Sequence, residues 1–198
     1  MRMSPVKFVL GLAMVGAALA GCTSGVGGTA TPTTSSSTAP TNSADNAKAP
    51  AVSHPLDASK MISTPCSALT AADITGLNIV NGSGQVGSQP QAPSCSWAGN
   101  AGGTVTIGWE MANTNGLSDL YAKSSTIAYW KPTTVSGYPA AFGDALSDGR
   151  PQGDCVLNTA VSDKLYFIAQ FVTPQNASQS CTLAEQAATD VIKNLGGS

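Results

Sequence analysis

Five cysteines, a single histidine and eleven carboxylates are the side chains through which this chain could do chemistry. Nucleophilic catalysis by serine or cysteine needs an imidazole held against the nucleophile. The one histidine, His54, lies beside Pro55 in a Thr/Ser/Ala/Pro-rich stretch, which removes both arrangements. No Gly-X-Ser-X-Gly motif occurs. Lys123 precedes Ser124 and Ser125; exposed helix polarity explains this cluster better than a Ser–Lys dyad. Asp144, Asp148 and Asp154 share a Gly/Pro-broken segment. Three carboxylates on one loop would suit Ca²⁺, but their spacing lacks the alternation of an EF-hand, and a solvated turn is the simpler reading. A glycosidase would need two carboxylates at a set separation, for which Glu110 and Asp144 are the available pair. Gly82-Ser83-Gly84 lacks the lysine of a phosphate loop.

The cysteines say more. Cys66, Cys95, Cys155 and Cys181 lack the close CxxC spacing of a zinc site, so no metal or other cofactor is expected. An even number of cysteines in an exported domain reads as two disulfides, with three possible connectivities. Cys66–Cys95 and Cys155–Cys181 are favoured, because each closes a moderate loop and joins a helix start to a strand. Each would contribute on the order of 3 kcal/mol by restricting the unfolded chain.

The fifth cysteine, Cys22, follows a secretory signal. Arg2 and Lys7 form its positive region, and Phe8 to Ala20 is an uncharged apolar stretch of 13 residues. A membrane span needs about 20 apolar residues, so this stretch is too short to be one. It ends in Leu19-Ala20-Gly21-Cys22, which resembles the lipobox of bacterial lipoproteins. The resemblance implies that the Cys22 thiol receives a diacylglyceryl group and that cleavage follows Gly21. Each buried CH₂ adds about 0.8 kcal/mol, so two or three acyl chains hold where one is marginal. Residues 1–21 take Arg2 and Lys7 with them, leaving 7 basic and 11 acidic side chains, a net of −4. An acidic domain has no basic surplus to neutralise phosphates, which argues against nucleic acid as a partner.

Residues 22–55 form the expected tether. They are nearly all Thr, Ser, Ala, Gly and Pro, and contain no Phe, Tyr or Trp. Such a segment cannot bury enough apolar area to offset chain entropy, so it is expected to be disordered. Its r.m.s. span is roughly 30 Å, with a stretched limit of about 110 Å. Its Thr/Ser/Pro tract suits O-linked sugar as well as a bare spacer.

Residues 56–198 are expected to form a single domain. The run from Pro65 to Ile74 reads as a helix start, with Thr70 and Asp73 at capping-box spacing and Gly76 as a stop. Residues 78–94 read as a mobile loop. Strands are expected at Cys95–Trp97, Thr104–Trp109, on both sides of Gly137, at Cys155–Val161 and at Leu165–Val172, the last plausibly central. Leu117, Leu120 and Tyr121 mark a short helix, and the apolar stripe from Leu183 to Leu195 marks a terminal one. The fold class is therefore α+β: an antiparallel β-sheet packed against N- and C-terminal helices, with one face partly solvated.

Two aromatic residues stand outside these patterns. Tyr129 and Trp130, followed by Lys131-Pro132, read as part of a connection. Exposed there, they would stack on a sugar ring or anchor a protein; the competing reading has Trp130 covering a core edge. Trp97 and Trp109 fall in strand patterns and belong to the core.

The Pro65–Asp73 run, Cys95-Ser96-Trp97, Val135 to Ala140, Cys155-Val156 and the Cys181 helix, taken with the lipobox, resemble a family of actinobacterial cell-surface lipoproteins known only as a domain of unknown function. The likeness covers most of residues 60–196. It rests on structural marks and carries over no catalytic residue. It implies the outer, extracytoplasmic face of the plasma membrane, with the membrane as partner through the lipid. The expected function is a non-enzymatic binding or sensory domain for an envelope glycan, lipid or protein. A lipid or glycolipid carrier with an apolar pocket is the second reading, and an envelope hydrolase the third.

Overall fold

The structure, a computed structural model, describes residues 48–144 and 147–197. The expected signal segment, Cys22 and most of the expected tether lie outside the described residues.

Seven strands form one antiparallel sheet. In chain order they are β1 (Gln85–Val86), β2 (Ser94–Ala98), β3 (Thr104–Glu110), β4 (Tyr129–Val135), β5 (Tyr138–Asp144), β6 (Asp154–Ser162) and β7 (Leu165–Val172). Their spatial order is β1-β2-β3-β7-β6-β5-β4. The Leu165–Val172 run is thus the middle strand, paired along its length to β3 and β6. Side chains alternate across a strand, so the register sorts the sheet into two faces. Val105, Ile107 and Trp109 align with Phe171, Ala169 and Phe167, and these with Cys155, Leu157 and Thr159. All nine are buried and make the core face. Thr106, Ile168, Gln170 and Val156 lie on the other face and are only half-buried.

The helices are α1 (Ser59–Ser63), α2 (Ala71–Gly76), α3 (Ser118–Tyr121) and α4 (Ser180–Asn194). The longest, α4, lies against β6 and β7. Its Ala184, Ala187, Ala188, Val191 and Ile192 are at most 1% exposed. The run of alanines lets its backbone approach the sheet closely. At the other end of the core, Thr70 and Asp73 form the capping box of α2. Asn194 Nδ2 donates to Asp73 Oδ2 at 2.8 Å and to Ala68 O at 3.0 Å, tying the end of α4 to the N-terminal turns.

The two disulfides join Cys66 to Cys95 and Cys155 to Cys181. The first links a short 3₁₀ turn (Pro65–Ala68) to β2, and the second links β6 to the start of α4. Both therefore clamp helical segments onto the core face.

Three local expectations need correction. Residues 48–55, assigned above to the tether, lie on the domain, with Val52 7% exposed. Pro50 and Pro55 make this stretch look like linker, yet Val52 and Leu56 find apolar cover that composition does not reveal. Within the loop at 78–94, Gln85 and Val86 pair with Ser96 and Cys95 as β1. Tyr129–Pro132 is not a connection but the first half of β4. Pro132 disguises the strand; an edge strand tolerates proline because one side of it needs no ladder donor. Ser136 and Gly137 close the β4–β5 hairpin with φ of 47° and 81°, the two left-handed residues of a tight hairpin turn.

Candidate binding site

β3 leaves near the middle of the sheet, and β4 begins at its far edge. The connecting residues must cross the half-solvated face, and α3 lies in that crossing. Leu117 and Tyr121 of this segment are buried. Tyr121 meets Trp130 edge to face, with ring centroids 5.1 Å apart and planes at 90°. Burial pushes the Tyr121 phenol pKa up.

Trp130 stands opposite Gly143 in the β4–β5 register. A Cβ on Gly143 would lie 2.9 Å from Trp130 Cε3, so the indole lies directly over the glycine. Lys48, Pro50, Tyr121, Ser124, Trp130 and Pro132 line an open groove of about 450 Å³. Two aromatic rings and two prolines make its walls, and an ammonium and a hydroxyl supply polarity. Such surfaces take planar or extended ligands by stacking, with a few polar groups fixing orientation.

Tyr129, the neighbour proposed with Trp130, points to the opposite face because adjacent strand residues alternate. The Arg150 guanidinium lies 3.3 Å over its ring centroid. Arg150 in turn pairs with both oxygens of Asp148 at 2.7 Å. This hydrogen bonding holds the Asp148 carboxyl below its usual range. Tyr129 and Trp130 therefore do not form one platform, and only Trp130 belongs to the groove.

The carboxylates are scattered. Asp144 Oδ2 accepts from Gly149 N, and Asp154 accepts from Gln170 Nε2 at 2.8 Å. No group of three or more metal-ligating side chains occurs among the described residues. Glu110 and Asp144 lie at opposite ends of the sheet and on opposite faces. Three strand spacings of about 4.8 Å already separate their strands by ~14 Å, beyond the ~9.5 Å limit for a glycosidase pair. Burial raises the Glu110 pKa. Lys123, Ser124 and Ser125 sit in a 3₁₀ turn after α3 (Ser124–Thr126) and its lead-in, and Ser124 alone reaches the groove. His54 is exposed, in a shallow hollow with Tyr138 and Gly197.

A second cavity of about 560 Å³ adjoins the groove. Val52, Leu117, Ala122, Asp119, Asp163 and Lys164 are among its walls, and it shares Lys48 and Pro50 with the groove. Its lining includes no isoleucine or phenylalanine. Sequence reasoning missed Tyr121, Pro132, Pro50 and Lys48 as site residues. The i, i+3, i+4 pattern of Leu117, Leu120 and Tyr121 marked an apolar face, but nothing local said that this face meets β4.

Residues 17–194 match the family described as protein of unknown function, DUF3558. The chain belongs to the DUF3558 family. No curated protein matches it, and no solved structure does. The DUF3558 match spans both disulfides and every residue of the groove. The site therefore lies within the family domain itself, although the family description names no activity for it.

Proposed function

We propose that this DUF3558 protein is a membrane-anchored cell-surface lipoprotein of an actinobacterium. Its domain is a non-enzymatic binding or sensory module for an envelope component or partner protein. The observation that carries the reading is the Trp130–Tyr121 groove, which opens beside Lys48 where the tether joins the domain. Tyr and Trp supply large contact area at low entropic cost. Leu19-Ala20-Gly21-Cys22 supports the anchor, and the two disulfides suit an oxidising compartment. The reading calls for no cofactor. The larger cavity has no isoleucine or phenylalanine in its lining, which gives the carrier alternative less support.

The test is photo-cross-linking in intact cells from a probe placed at Ser124 on the groove rim, followed by identification of the captured neighbours. One dominant product, lost when Trp130→Ala is added, is the expected result. Capture unchanged by Trp130→Ala would remove the groove from consideration.

A further inference from the structure

Residues 48–56 are attached to the domain by hydrogen bonds in series. Ala49 N donates to Ser118 Oγ at 3.2 Å, Val52 N to Asp163 Oδ1 at 2.8 Å, and Leu56 N to Val161 O at 2.9 Å. Val52 and Leu56 are the larger apolar side chains that seat the segment. It joins no strand of the sheet. From Cys66 onward, by contrast, the chain is clamped by disulfides and ladders. A segment with few buried contacts and few hydrogen bonds opens at a lower free energy than the core that holds it.

The same segment is a shared wall. Lys48 and Pro50 line both the aromatic groove and the larger cavity. The acceptor for Val52 is the side chain of Asp163, in the tight turn between β6 and β7. One partner of the bond is thus fixed to the central hairpin, and the other lies on the chain that leads to the tether.

We infer that residues 48–56 are a strap that latches the binding groove. When Val52 leaves Asp163, the shared wall lifts and the groove and cavity become one continuous trough running from Leu117 past Tyr121 to Trp130. Tension on a chain held at its N-terminus loads Ala49 first, then Val52, then Leu56, so the strap peels one bond at a time while the disulfide-clamped sheet stays closed. The role of the trough rests on the reading of the groove as the binding site; the opening of the strap does not.

Amide hydrogen exchange on the full oxidised chain tests the latch without any ligand. The Val52 and Leu56 amides should exchange at least about tenfold faster than that of Ala169 in β7. Asp163→Ala should speed Val52 by about a further fivefold and leave Ala169 unchanged. Exchange of Val52 and Ala169 at one common rate, by global unfolding alone, would overturn the latch in the unaltered chain, whether or not the variant folds. Indifference of Val52 to Asp163→Ala in a folded variant would overturn it too. Failure of the groove reading appears only in the cross-linking experiment with Trp130→Ala and leaves these rates as they are.

Discussion

The indole of Trp130 lies over Gly143, its partner across the β4–β5 ladder, so closely that a single added carbon would meet the ring at 2.9 Å. Any side chain at 143 must displace the indole. Tyr121 stands against Trp130 and leaves it little room to move. The groove therefore depends on a residue that does not line it.

Gly143→Ala is expected to shift Trp130, to move its fluorescence emission, and to destabilise the domain by about 1–3 kcal/mol, the usual cost of overpacking. Thermal unfolding and emission spectra check this together. An unchanged spectrum would mean that the indole is not seated as described.

Thr159 tests the core. Its hydroxyl is fully buried and has no hydrogen-bond partner, and the same holds for Trp109 Nε1. Phe167 stands between these two residues in the register. Replacing an unpaired buried hydroxyl by a methyl removes a desolvation cost. Thr159→Val should therefore stabilise the fold by about 1 kcal/mol. A loss of stability in denaturant titration would show that the hydroxyl has a partner.

Glu110 sets a pH dependence. Burial raises its folded pKa, so the folded chain binds this proton more tightly than the unfolded chain does. Stability from this group is present below the unfolded carboxylate pKa and falls as pH rises through the folded value. Glu110→Gln should raise the unfolding free energy at neutral pH by less than about 1 kcal/mol, read in denaturant titration, because solvent screens a half-exposed group. The gain should vanish at about pH 4 and below. A gain independent of pH would rule out the charge as its source.

The second disulfide holds α4 to β6. Cys155→Ser with Cys181→Ser should cost about 2–4 kcal/mol in chemical denaturation. The pair is on the core face, so the loss should be accompanied by faster exchange along α4. A midpoint equal to that of the unaltered chain would contradict a clamping role.

Cys22→Ala addresses the proposed anchor. The altered chain should leave the membrane fraction and appear in soluble extract or medium, since the acyl chains supply the binding energy. Full retention in the membrane pellet would exclude lipid attachment at this residue.

Much of the fold could be read before the structure was known. Alternation in Thr104–Trp109 and Leu165–Val172 marks strands because a half-buried strand has period two. Thr70 and Asp73 announce a capped helix because the cap is a contact three residues long. Loop lengths and helix starts near strands favour, among three connectivities, the cysteine pairing that the structure has. The site was less legible. Trp130 is legible in the sequence as an aromatic residue outside the core pattern, but its surroundings are not, since Pro132 hides a strand and therefore the alternation that parts it from Tyr129. Residues 48–55 look like linker in the sequence, because proline and small residues carry no local sign of the surface they lie on.

By itself the sequence determined what is local: the apolar stretch from Phe8 to Ala20 ahead of Cys22, the helix caps, the strand periods and the acidic charge of the chain. Each depends on residues within a few positions of one another. Tertiary structure decided what meets across long separations. The order β3-β7-β6-β5-β4 carries the connection to β4 over the sheet face and brings Tyr121 to Trp130. A separate long-range meeting seats Val52 against Asp163 in the β6–β7 turn. Strand order is settled by burial of the whole sheet and not by any one segment.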